Sequence, residues 1–101
     1  MKLSILDYVP IFEGRSAHEA FQHSVELAQR AEQLGYVRYW VAEHHQFRSV
    51  ASSAPEMVMM TLLEQTSNIK IGSGGVMLPH YSPYKVAEQF KMMEARHPHR
   101  V

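Results

Sequence analysis

Glu43, His44 and His45 follow directly on the apolar run "YWVA" (Tyr39 to Ala42). An imidazole titrates near neutrality, so it can donate, accept or shuttle a proton, and an adjacent carboxylate can orient it. If "YWVA" is a parallel strand, the triplet stands at its C-terminal end, where α/β proteins gather ligands and catalytic groups. The competing reading is a solvated strand end at which two histidines merely cap backbone groups. No metal centre is expected. Adjacent residues on an extended chain point to opposite faces, and the H-E-x-x-H spacing that puts two imidazoles on one helical face is missing.

A second stretch, "GSGG" (Gly72, Ser73, Gly74, Gly75), closes another apolar run. Glycine permits unusual backbone angles and close approach to a flat ligand. A dinucleotide fingerprint would need glycine where Met77 stands, and "VMLPHYS" intervenes before any helix. A plain flexible turn remains open beside the ligand-contact reading. The Met-rich "MVMM" reads as core or subunit contact, and Arg38, Lys85 and Arg96 as solvated residues without a role.

The elements that must position these groups are strands alternating with helices. "KLSILDYV" (2–9), "VRYWVA" (37–42) and "NIKIGSGG" (68–75) read as strands. Ser16 and Glu19 form a capping box opening a helix whose stripe is Ala17, Ala20, Phe21, Ser24, Leu27, Ala28, Ala31 and Leu34, with Gly35 ending it. "SAPE" predicts Ser53 as N-cap and Glu56 at N3 of the next helix, over "PEMVMMTLLEQT". That helix is apolar nearly all round and needs cover on more than one side. Ser82 and Pro83 open a third, with Val86, Phe90 and Met93 inward. Arg100 and Val101 resemble the first step of a fourth strand.

Three successive βα units imply an α/β fold with parallel strands and right-handed crossovers. A three-stranded parallel sheet is thin, because such strands need further neighbours and cover on both faces. The expectation is the front end of a larger barrel, with residues 1–101 as one partial domain.

The chain has 101 residues, ten Lys+Arg against ten Asp+Glu, and no cysteine. Net charge near zero without like-charge runs gives no pull towards nucleic acid or an anionic membrane. Missing cysteine removes disulfides, thiolate nucleophiles and Cys-based metal sites. Neither a signal segment nor a membrane span is expected, so the expected location is cytoplasmic.

In order, "RYWVAEHH", "ASSAPE", "IKIGSGGVMLP" and "SPYKVAEQF" closely resemble the front part of the luciferase-like monooxygenase family. The resemblance implies a (β/α)8 barrel and reduced FMN supplied by a separate reductase, with a deazaflavin as the lesser alternative. It implies that one atom of O2 is inserted into a small organic substrate. By position, His44 matches the family histidine beside the flavin, with Glu43 or His45 orienting it. Asp7 is expected to face the same mouth. Ser73, Gly74 and Gly75 match the flavin contact, where relatives carry a non-proline cis peptide under the ring. The second and third helices (55–65 and 83–93) match a homodimer contact. A barrel of this type takes ~250 residues, so the 101-residue chain is expected to be inactive in isolation. The alternative is a non-catalytic α/β binding or assembly module derived from the same family.

Overall fold

The computed structural model describes all residues, Met1 to Val101. Strands β1 (Ser4–Asp7), β2 (Arg38–Val41) and β3 (Lys70–Ser73) alternate with helices α1 (Ala17–Gln33), α2 (Pro55–Gln65) and α3 (Pro83–Arg96). A 3-10 turn, Leu78–His80, precedes α3. The sheet order is β1-β2-β3 and both pairings are parallel. Ser4, Arg38 and Lys70 lie in one register, and Asp7, Val41 and Ser73 in another at the C-terminal end.

The strands are four residues each, shorter than the sequence runs suggest. Apolar residues continue past the ladder because they pack in loops. Val9, fully buried, has left the strand with φ of 54°. The alternation is nevertheless clear. Ile5, Asp7, Tyr39, Val41 and Ile71 face the helices, while Ser4, Leu6, Arg38, Trp40 and Lys70 form the opposite, largely exposed face.

The core lies between sheet and helices. Tyr39, Val41, Ile69 and Ile71 meet Ala20, Ala28 and Ala31 of α1, Val58, Met59, Leu62 and Leu63 of α2, and Met93 of α3. The small residues of α1 let that helix approach closely, which leaves Phe21, Leu27 and Leu34 of the expected stripe exposed. Helix α2 packs on α1, β3 and α3, and this crowding explains its nearly continuous apolar surface. Val86 and Phe90 of α3 are half-buried beside the buried Met93.

Capping follows the sequence at two helices and departs at the third. Ser16 accepts from the Glu19 amide at 3.2 Å, but the Glu19 carboxylate returns to the Ser16 hydroxyl (3.4 Å) and to Arg15 (3.0 Å), not to the Ser16 amide. Gly35 ends α1 at φ 84°. Ser82 caps α3 through the Lys85 amide. At α2 the N-cap is Ala54, with no side-chain bond, instead of Ser53. Pro55 at the first turn supplies the fixed φ and has no N–H to satisfy. At the other end, the Ile71 amide donates to the Arg100 carbonyl at 2.7 Å, so Arg100 occupies the free edge of β3, as expected of a fourth strand's first step.

Candidate functional site

β2 and β3 are neighbours, parallel and paired Val41 to Ser73, so the loops that leave the two strands emerge at a common rim. His44 and the Gly74–Gly75 step therefore share the C-terminal end of the sheet. The Gly74 amide donates to the Val41 carbonyl at 2.8 Å, which carries the ladder to the edge of that step. The Gly74–Gly75 peptide is cis.

The glycines sit where side chains would collide or intrude. A Cβ on Gly72 would lie 2.7 Å from Trp40 Cζ3. One on Gly74 would lie 3.2 Å from Leu6 Cδ1 and 3.3 Å from Trp40 Cβ. Gly75 has open space around the equivalent point. Leu6, Trp40, Gly72 and Gly74 thus make an apolar floor on the open face, ending in a bare glycine at the rim. Ser73 alternates with Gly72 and Gly74, and its side chain belongs to the helix-facing row.

His44 is held by both backbone and ring. Its amide donates to the Ser52 carbonyl (2.9 Å), and the Ser52 hydroxyl donates to the Ala42 carbonyl (2.6 Å). Its ring lies 5.1 Å from that of Tyr8 and 5.7 Å edge-on from Phe47. Nδ1 of His44 is buried and has no hydrogen-bond partner, an unusual state for a buried polar atom.

Glu43 does not orient His44. Its side chain is 1% exposed. Oε2 lies 2.6 Å from His45 Nε2 and accepts from the Tyr81 hydroxyl at 2.5 Å, while Oε1 accepts from the Met77 amide at 3.2 Å. Burial works to raise the Glu43 pKa, but the bonds from Tyr81, His45 and Met77 outweigh it and the net shift is downward. The same carboxylate, with some burial, pushes the Tyr81 phenol up to about 12. Tyr81 and Met77 are 34 to 38 residues from Glu43 in sequence. No local pattern announces that contact; only the strand pairing brings the two loops together.

Asp7 requires a correction, since it does not face the mouth. It alternates in phase with Ile5, so it points into the helix layer and is 5% exposed. There it accepts from the Val9 amide (2.7 Å), the Ser24 hydroxyl (2.6 Å) and the Tyr39 hydroxyl. Burial, then this carboxylate, drives the Tyr39 pKa well above the usual tyrosine range. Asp7 instead fixes the turn that leaves β1. Val9, a β-branched residue at positive φ, is a strained position. Its amide is held by Asp7 and its carbonyl by the Ala51 amide at 2.9 Å. Tyr8 is thereby set against the His44 ring. No group of three or more His, Asp or Glu side chains is placed to hold a metal ion.

Comparisons with known proteins agree with this fold. The model of the luciferase-like monooxygenase family matches residues 1–100. N-acetyl-S-alkylcysteine monooxygenase of Bacillus subtilis is 52% identical over 101 residues, which is 100% of this chain and 30% of that protein. A luciferase-like monooxygenase of Escherichia coli K12 is 49% identical over 98 residues, 97% of this chain and 29% of its own length. Among solved structures, apo-MsnO8 superposes with a TM-score of 0.96 at 47% identity, covering 98% of this chain and 30% of its own. The oxygenating constituent of 3,6-diketocamphane monooxygenase from Pseudomonas putida, a type II Baeyer-Villiger monooxygenase in complex with FMN, gives 0.85 at 25% identity, covering 94% and 26%. The chain spans about 30% of the length of the relatives it matches. Its three parallel βα units are the N-terminal part of a (β/α)8 barrel. Fold, rim geometry and a match running from residue 1 to residue 100 converge: the chain belongs to the luciferase-like monooxygenase family.

Proposed function

We propose that this chain supplies the ring-facing wall of an FMN-dependent monooxygenase acting on a small organic substrate. The observation that carries the reading is the common rim, with His44 and the Gly74–Gly75 step leaving adjacent parallel strands at the same end. The apolar floor of Leu6, Trp40, Gly72 and Gly74 fits a flat ring, and the half-buried His44 stands at the same rim. When bound, the flavin supplies the electrons and the activation of O2. The chain's own part is smaller and definite. Trp40 and Leu6 exclude water from the ring's face, Gly74 and Gly75 admit it closely, and His44 is the proton-handling group at the rim.

FMN is preferred to a deazaflavin because a structural neighbour is an FMN complex; its reduced form is proposed to come from a separate reductase. Exposed Met57 and Met92, on α2 and α3, support a homodimer through those helices. No helix is long and apolar enough to cross a membrane, and a cytoplasmic location is proposed. Spanning 30% of its relatives' length, the isolated chain is proposed to bind FMN poorly and to turn over nothing.

The test is a chimera in which these residues replace the matching segment of the Bacillus subtilis N-acetyl-S-alkylcysteine monooxygenase. It is expected to bind FMN and oxygenate that enzyme's substrate. His44→Ala in the chimera should lower turnover about 10²- to 10⁴-fold, the range of a lost proton-handling group, with FMN affinity nearly unchanged. A chimera that folds but neither binds FMN nor depends on His44 overturns the reading in favour of a non-catalytic module. Micromolar FMN binding by the 101-residue chain overturns the claim about the isolated chain, and a monomer at every concentration in ultracentrifugation removes the dimer.

A further inference from the structure

A second imidazole, His45, stands at the same rim, and its contacts are separate from those of His44. Glu43 Oε2 is shared by His45 Nε2 (2.6 Å) and the Tyr81 hydroxyl (2.5 Å), and the carboxylate is nearly sealed from solvent. An ionised carboxylate only accepts hydrogen bonds. In a neutral His45 ring the hydrogen must therefore sit on Nε2, pointing at Glu43, and the lone pair must sit on Nδ1. The His45 side chain is 43% exposed, and its Nδ1 has no protein partner. The contrast with His44 is direct, because there Nδ1 is buried.

We infer that His45 is the rim's proton acceptor through Nδ1, with Glu43 and Tyr81 as positioning residues that fix its tautomer. The ligand class it fits is a neutral donor, X–H, such as a hydroxyl or thiol of a molecule entering at the rim. In the transfer the X–H bond breaks and X keeps the electron pair. The new N–H bond forms at Nδ1, and the positive charge on the ring is met by Glu43. Tyr81 contributes a second hydrogen bond to Oε2; its hydroxyl is 3.4 Å from Nε2 and shares the same carboxylate oxygen. Use of this acceptor by a bound substrate rests on the monooxygenase reading, whereas the tautomer belongs to the chain without flavin.

The experiment is ring ¹⁵N NMR of the labelled 101-residue chain, followed upward in pH until the ring signals stop moving so that the neutral form is read, with the His45 signals assigned by their loss in His45→Gln. The wild-type ring should show the Nε2–H form with an unprotonated Nδ1. In Glu43→Gln both tautomers should become populated. In Tyr81→Phe the Nε2–H form should remain, with its proton exchanging about tenfold faster, as expected when one bond to a charged group is lost. An Nδ1–H ring in the wild type overturns the inference by itself, whether or not the variants fold. An unchanged tautomer in a folded Glu43→Gln overturns the role of Glu43, and unchanged exchange in Tyr81→Phe that of Tyr81. A failed FMN chimera would leave this measurement standing, so the two proposals fall separately.

Discussion

Each end of the sheet is knotted by one glutamate, and the two knots are built differently. At the N-terminal end Glu32, in the last turn of α1, accepts from the amides of Ser67 (2.9 Å), Asn68 and Ile69 (2.8 Å) where β3 begins. Arg100 closes the same corner through the carbonyls of Ile69 and Thr66 and the Thr66 hydroxyl. At the C-terminal end Glu43 takes one amide and two side chains that can themselves titrate. Backbone amides cannot change protonation, so the first knot only holds; under the inference above, the second also handles a proton. The contrast matches the barrel rule that the N-terminal face serves stability and the C-terminal face chemistry.

The largest expected effect is therefore at Glu32. Glu32→Ala removes the acceptor for three backbone donors and should cost about 2 kcal/mol, taking bonds to a charged group and allowing for a partly solvated site. Urea denaturation of the chain reads this directly. Glu43→Gln keeps a hydrogen-bonding side chain in place and should cost clearly less. A larger loss at Glu43 than at Glu32 would break the comparison.

Acid separates the two ends further. Burial works to raise the Glu32 pKa, but the amides of Asn68, Ile69 and Ser67 and the charge of Arg100 bring the net shift down. Glu43 is also shifted down. A carboxyl with a depressed folded-state pKa contributes stability that is complete above its unfolded value, near 4.5, and is lost as the pH falls through the folded one. Stability should thus decline from about pH 5 downwards, and Glu32→Ala should show a shallower decline than the wild type. A wild type equally stable at pH 7 and at about pH 3 would contradict both carboxylates' roles.

At the rim the sharper reading is spectroscopic. The Tyr81 phenol is raised to about 12 by the hydrogen bond to Glu43, with burial second. In Glu43→Gln that phenol should move back towards the ordinary 10.0, seen as an earlier phenolate band in an ultraviolet titration. Tyr39 is raised through burial and Asp7, so it should stay late and serve as the internal control.

Much of this was legible in the sequence because it is local or periodic. The three βα units, the Ser82-Pro83 start of α3 and the Gly35 stop follow from spacing and residue type. That His44 and the Gly74–Gly75 step leave neighbouring strands at the same end of the sheet was legible through the strand order. Asp7 was misplaced because "SILD" gives the phase of the alternation but not which phase faces the helices; Ser24, seventeen residues on, settles that. Tyr81 was invisible for a related reason, since its partner lies 38 residues away and the two loops meet only through pairing of β2 with β3. The capping box at "SAPE" failed because a serine, a proline and a glutamate at the right spacing do not fix which residue turns first.

That last failure carries the smallest prediction, and one that bears on how the rim is held. Ser52 is fully buried, its hydroxyl donates to the Ala42 carbonyl, and its own carbonyl receives the His44 amide. Ser53 is exposed, and α2 has no side-chain cap bond. Ser52→Ala should therefore cost about 1 kcal/mol, the worth of an ordinary buried hydrogen bond, and loosen the loop that carries His44. Ser53→Ala should lie within about 0.5 kcal/mol of the wild type, as a surface change away from any special feature does. The order matters more than the size. If Ser53 proved the costlier of the two in thermal melts, a cap would exist at α2 after all, and His44 would be anchored by a helix end instead of by a buried serine one residue before it.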